Sequence, residues 1–181
     1  AIYIRMGDRW SGDKTSSLSN ITIKNVYAEI PSSKADSGYR YEGPVEDLPR
    51  NISPSSIVGL PDWRIKNVTL SNIEIVYPGG SNPYYAKRGI STQELESIPE
   101  MHHAYPEFSQ FKELPAWGFY VRHADNITFD NVVLKVKDSD YRPAIVIDDA
   151  KEIELKDVRI TEPESKKKNQ IILNNTTKRK K

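Results

Sequence analysis

Cysteine is absent from this 181-residue chain. No disulfide can staple it, and no thiolate can act as nucleophile or metal ligand. Long apolar runs are absent as well, and nothing approaches the roughly 20 apolar residues of a membrane-spanning helix. No phosphate loop, nucleophile elbow or zinc motif is present, which removes the usual signatures of nucleotide, esterase and zinc chemistry. Charge of one sign is also missing: the net charge is +1, so the molecule as a whole implies no strong electrostatic partner. The balance is uneven, however. Lys166, Lys167, Lys168, Lys178, Arg179, Lys180 and Lys181 crowd a stretch without acids, and the remaining 19 basic and 25 acidic residues carry −6. Residues 176–181 read as a solvated basic tail. Neither nucleic acid nor a membrane is expected as a partner.

What the chain does have is a recurring phrase. It reads Asn20-Ile-Thr-Ile-Lys-Asn25-Val, Asn67-Val-Thr-Leu-Ser-Asn72-Ile and Asn126-Ile-Thr-Phe-Asp-Asn131-Val, with a degenerate copy, Glu152-Ile-Glu-Leu-Lys-Asp157-Val. Self-similarity of this kind marks a stacked repeat architecture. Each phrase follows a second apolar alternation. These are Ala1 to Asp8, Ser55 to Asp62, Gly118 to Asp125 and Ala144 to Lys151, aligned without gaps, with a partial fifth from Gln170 to Asn175. β-Branched and aromatic residues at period two indicate strands.

In this gapless alignment Ile2/Ile4, Ser56/Val58, Phe119/Val121 and Ile145/Ile147 face inward. Tyr3/Arg5, Ile57/Gly59, Tyr120/Arg122 and Val146/Asp148 face outward. In the repeated phrase the phase slips by one residue at Asn25, Asn72, Asn131 and Asp157. Such a slip marks a corner, where Asn and Asp tolerate the left-handed backbone. Stacked Asn side chains can bond in a ladder. This is the grammar of a parallel β-helix of about four to five coils, a single all-β segment spanning residues 1–175. The shortest coil takes 26 residues, and two long insertions, about 31–54 and 78–116, leave from the same side. The first carries Tyr39, Tyr41, Glu42, Glu46 and Asp47. The second carries Tyr84, Tyr85, His102, His103, Tyr105, Phe108 and Phe111, with a short helix expected at Thr92–Ile98 capped by Ser91 or Thr92. The strand-like start at Ala1, without an initiator Met, leads us to expect that the chain begins inside a larger protein.

The outward column then reads Arg5, Gly59, Arg122, Asp148. At about 4.8 Å per coil, Arg5 and Arg122 flank Gly59 roughly 10 Å apart. Two guanidinium groups beside a residue without a side chain make a seat for a carboxylate. Tyr3 and Tyr120 offer flat surfaces for sugar rings on the same face. The plainer alternative pairs Arg122 with Asp148 one coil away. Asp148 and Asp149 point to opposite faces and cannot both reach one substrate. His102 and His103 lack a further metal ligand at a suitable spacing, so no metal or other cofactor is expected. The sequons at Asn20, Asn51, Asn67 and Asn126 match a glycosylation pattern, but three of them belong to the repeat.

These phrases, an Arg-bearing strand before them, and the stretches Gly38–Pro44, Asn51–Ile57, Ala104–Ser109 and Leu114–His123 resemble the C-terminal half of glycoside hydrolase family 28, the polygalacturonase-like pectin hydrolases. The resemblance covers roughly residues 1–160. It implies a right-handed, pectin-lyase-like parallel β-helix, a secreted or periplasmic location, and inverting hydrolysis of a uronate- or rhamnose-containing polysaccharide. An inverting enzyme needs an acid and a base with room for water between them. The family takes its carboxylates from Asn-Thr-Asp and Asp-Asp motifs near a Gly-His-Gly, and none of these stands here in context. The catalytic centre is therefore expected upstream of Ala1, in the rest of the same β-helix. The family's Arg-Ile-Lys substrate strand corresponds to Tyr3-Ile4-Arg5. Tyr3, Arg5, Tyr120, Arg122, Tyr84 and Tyr85 are then the candidate substrate-binding residues, with no catalytic residue in the chain. Two alternatives stay open. One is a non-catalytic carbohydrate-binding or adhesion β-helix. The other is a polysaccharide lyase, which needs Ca²⁺ and an acidic cluster; Glu46-Asp47 is the one such pair on a loop.

Overall fold

The structure, a computed structural model, describes residues 1–9, 16–33, 53–80, 89–105, 108–111, 113–163 and 170–180. The expectations placed on Tyr39, Tyr41, Glu42, Glu46, Asp47, Asn51, Tyr84 and Tyr85 lie outside the described residues.

Period-two apolar residues make the strands, and their side chains make the core. The strands are β1 (Tyr3–Arg5), β2 (Ser19–Glu29), β3 (Ser55–Val58), β4 (Ile65–Gly79), β5 (Phe119–Asp138), β6 (Ile145–Thr161) and β7 (Ile171–Lys178). The described chain is all-β apart from α1 (Thr92–Glu96) and a 3-10 turn at Phe108–Phe111. Every strand pairing is parallel. β1 and β2 form a first tier, β3 and β4 a second, and β5, β6 and β7 the next three, all within one curled seven-stranded sheet. Phe119 pairs with Ile145, 26 residues on, as the repeat predicts.

Like residues stack on like. Ile23, Leu70, Phe129 and Leu155 share one column, and Val26, Ile73, Val132 and Val158 another. Phe119 meets Phe129 edge-on at 5.2 Å. Burial is complete in the middle tiers, at Val68, Leu70, Ile127 and Phe129, and only partial in the first, at Ile21, Ile23 and Val26.

The corners are where the phase slip puts them. Asn25, Asn72, Asn131 and Asp157 have φ of 59°, 54°, 54° and 51°. A second set, at the first residue of each phrase, is equally left-handed: Asn20, Asn67, Asn126 and Glu152 have φ of 59°, 57°, 57° and 56°. Each phrase is thus a short strand bracketed by two corners. The Asn side chains form two ladders. Asn67 Nδ2 donates to Asn20 Oδ1 at 2.9 Å, and Asn126 Nδ2 to Asn67 Oδ1 at 2.7 Å. Asn72 donates to Asn25 at 3.1 Å, and Asn131 to Asn72 at 2.9 Å. Where the fourth phrase lacks Asn, an arginine closes each ladder. Arg179 donates to Asn126 Oδ1, and Arg159 to Asn131 Oδ1 at 2.7 Å.

Arg179 also corrects the expected tail. β7 continues to Lys178, and the Arg179 amide donates to Ile153 O at 3.0 Å. Residues 176–178 therefore belong to the sheet, and Arg179 is engaged through Glu154, Asn126 and Thr128. Among the described residues, no helix is long and apolar enough to cross a membrane.

Candidate functional site

The outward face of the first strand in each tier is where the sequence placed a carboxylate seat. The register differs by one residue in β3. Arg5 pairs with Val58, Val58 with Arg122, Arg122 with Asp148 and Asp148 with Asn174. Val58, not Gly59, stands between the two arginines. Ser55 and Ile57 point inward, in place of the expected Ser56 and Val58. The Ser55 hydroxyl is held 2.7 Å from the Tyr77 hydroxyl inside the core, while Val58 packs on the outer face. Gly59 serves a different need. A Cβ there would sit 2.2 Å from His123 O and 2.9 Å from Ile65 N, so close passage of backbone demands glycine. Leu60 to Arg64 then form a turn with no counterpart in β5, and this extra turn is why gapless alignment misplaces the column.

The outer face is covered by the second insertion. Leu95, Ile98, Phe111, Leu114 and Ala116 form a second apolar cluster with Val58, Tyr120 and Val146, and Tyr3 and Met101 pack at its edge. Each fully buried large side chain contributes about 1.5–3 kcal/mol. α1 starts as its sequence predicts. Ser91 is the N-cap, and a capping box joins it to Glu94. Leu95 turns inward from this helix. Tyr120 is thus fully buried, and burial pushes its phenol pKa up. Neither Tyr120 nor Arg122, at 6% exposure, faces solvent, so the expected open wall of tyrosines and arginines is not present at these two residues.

Arg122 pairs with Asp148, as the plainer alternative had it, and also with the cover. Its Nη1 donates to Ile98 O at 2.7 Å, its Nη2 lies 3.2 Å from Glu100 Oε1, and its Nε lies 3.4 Å from Asp148 Oδ2. Asp148 accepts from Asn174 at 2.7 Å, and Asn174 accepts from Thr92 on α1 at 2.7 Å. Glu100 Oε1 is also 2.9 Å from His123 Nε2, while His123 Nδ1 is 2.5 Å from Asp149 Oδ2. Both ring nitrogens of His123 thus face carboxylate oxygens.

Arg64, absent from the sequence-based list, continues the network. It donates to both Asp125 oxygens at 2.9 Å, to Asp149 Oδ2 at 2.6 Å and to Asp149 O at 2.7 Å. Burial raises the Asp149 pKa, but the hydrogen bonds from Arg64 and His123 outweigh it and hold the carboxyl below the usual carboxylate range. Asp148 and Asp149 have separate direct partners, but strand alternation is not the reason. His123 and Asp149 are left-handed, with φ of 49° and 45°, and Arg122 and His123 converge on the same Glu100 oxygen, so both carboxylates belong to one network.

No family model, curated protein or solved structure matches this chain.

The remaining predicted site residues lie at the first tier. Tyr3 and Arg5 are half-buried. Arg5 donates to Met101 O and, at 2.6 Å, to Tyr105 O, so it ties the insertion down. Arg9 lies 3.6 Å over the Tyr105 ring, and Tyr105 is itself exposed. Tyr84 and Tyr85 lie outside the described residues. The Asn20, Asn67 and Asn126 carboxamides are engaged in the ladder, which accounts architecturally for the three sequons that belong to the repeat. Within the described network, side chains of both charges are matched by partners across tiers, and their chemistry is that of a clamp between sheet and cover.

Proposed function

We propose that this chain is the C-terminal segment of a polygalacturonase-like glycoside hydrolase acting on pectin-type polysaccharide, built as a right-handed parallel β-helix whose catalytic tiers stack on the first tier described above. The observation that carries this reading is the state of that tier. Both ladders run one way, so the Asn20 and Asn25 amides point off the stack with no acceptor among the described residues. β1 and β2 each have one pairing partner among the described strands, so one edge of each is open. Ile21, Ile23 and Val26 are only half-buried. A further tier would receive the amide donors, pair the strands and bury the apolar column. The family resemblance of residues 1–160 supplies the chemistry, and Tyr3, Arg5 and the Tyr105 rim are the residues of this chain nearest to such a tier.

One observation favours the second reading, a non-catalytic carbohydrate-binding or adhesion β-helix. The cover buries Tyr120 and Arg122, which removes half of the described substrate wall. A single comparison separates the readings. The purified 181-residue chain is expected to release no reducing ends from polygalacturonate or a rhamnose-containing pectin. A longer protein carrying the upstream tiers is expected to release them with inversion at the anomeric carbon, seen by NMR. Hydrolysis by the short chain, or its absence from the long one, overturns the proposal.

A further inference from the structure

Away from the buried network, the end of the first tier meets the second insertion at Asp8, His102 and His103. We propose that these three residues form a Zn²⁺ site. Their potential ligand atoms all lie within 4.8 Å of one another. His102 Nδ1 is 3.2 Å and 3.0 Å from the two Asp8 carboxylate oxygens, and His103 Nδ1 is 2.9 Å from Oδ1. With metal–ligand bonds of about 2.0–2.2 Å, the ligand atoms of a tetrahedral zinc site sit roughly 3.3 Å apart. The His102–Asp8 and His103–Asp8 spacings reach that value with movements of a few tenths of an ångström, and the spacing between the two histidine ligand atoms is at most 4.8 Å.

Ligand chemistry selects the ion. Two imidazole nitrogens and one carboxylate oxygen suit zinc. Calcium and magnesium take oxygen ligands throughout. The donors are held in place by groups that are not ligands. The Asp8 amide donates to His102 O at 3.0 Å, and Met101 takes φ of 54° to begin the turn. Arg5 fixes that turn from below through Met101 O and Tyr105 O. The two histidine rings stand 3.8 Å apart with a 40° tilt, so both Nδ1 atoms reach one carboxylate. Such support is what orients ligands before the metal arrives.

Three protein ligands leave a fourth position for water or a small anion. It opens to solvent, since the His103 side chain is 72% exposed. Arg5 and Arg9 are cations in the same neighbourhood and oppose a dication, so the affinity falls short of that of a closed four-ligand site. The bound ion would join residue 8 to residue 102 and pin the insertion over the outer face.

The test is calorimetric titration of the purified, chelator-treated chain with Zn²⁺ alone, followed by a thermal melt with and without the ion. One ion per chain, a raised melting temperature and indifference to excess Mg²⁺ or Ca²⁺ are expected. Asp8→Asn, His102→Ala and His103→Ala are each expected to weaken binding more than about tenfold, the lower bound for losing even an outer-shell partner. His103 is exposed enough that His103→Ala leaves the fold intact, so it decides the matter if Asp8→Asn perturbs the turn. Absence of saturable binding, or binding unchanged in His103→Ala, overturns the proposal.

Discussion

Asparagine serves the corners for two separable reasons. Its short amide tolerates the left-handed backbone, which costs other L-residues about 1–2 kcal/mol. It also extends a ladder, in which each net hydrogen bond contributes about 0.5–1.5 kcal/mol. Asn72 does both, donating to Asn25 and accepting from Asn131. Asn72→Ala, which loses both ladder bonds and the backbone tolerance, is therefore expected to cost about 2–5 kcal/mol in urea denaturation. Asn72→Gly keeps the backbone freedom and loses only the two ladder bonds, so its cost should be about 1–3 kcal/mol. Equal costs for the two variants would show that the backbone term is negligible. Asp149 makes a different prediction. Its folded-state pKa lies below the ordinary value of about 3.9, so as pH falls the unfolded chain takes the proton first. The stabilisation is complete above that value and is lost as pH falls through the folded pKa. Asp149→Asn should be less stable at neutral pH, and its difference from the parent should shrink below about pH 4. A difference that stays constant across denaturation curves at several pH values would contradict the assigned Arg64 and His123 bonds.

At the scale of elements, the deciding contact is between the sheet and its cover. Arg122 reaches Ile98 O, Glu100 and Asp148 at once, from a strand to a loop and to the next strand. Arg122→Ala would leave Asp148 buried without its cation, and breaking such a pair costs about 3–5 kcal/mol. Chemical denaturation should show that loss. Arg122→Lys should recover only part of it, because a single compact ammonium nitrogen cannot span the three groups that Arg122 reaches with three separate nitrogens. A variant of parental stability that instead lost polysaccharide affinity would restore Arg122 to the substrate wall. The elements differ in how readable they were. The corners and α1 were legible, because a left-handed Asn and a Ser91–Glu94 capping box are set by neighbours within a few residues. The register of β3 was not, because it is set by Tyr77 in another strand and by the close passage of Gly59 against His123. The Leu60–Arg64 turn does carry a signal, Pro61-Asp62, which the gapless alignment runs through.

At the scale of the whole molecule, the stacking of tiers could be read from one phrase, but what lies on their surface could not. The outer face of the first strands looked open because alternation says which way a side chain points and nothing about what covers it. The cover comes from a segment whose own apolar residues, Leu95, Ile98, Phe111 and Leu114, follow no long period. The meeting of Asp8 with His102 spans 94 residues, beyond any spacing rule for ligands. Such contacts exist only once the tiers have stacked.

The two ladders also give the stack a sense of direction. Every carboxamide hands its hydrogen toward the first tier, and arginines occupy the last acceptors at the other end. Two copies of this chain meeting first tier to first tier would set donor rows against donor rows and gain no amide bond from either. The open end is thereby selective against itself: its ladders would be completed by an acceptor row of the opposite sense, such as the preceding tier proposed above would present.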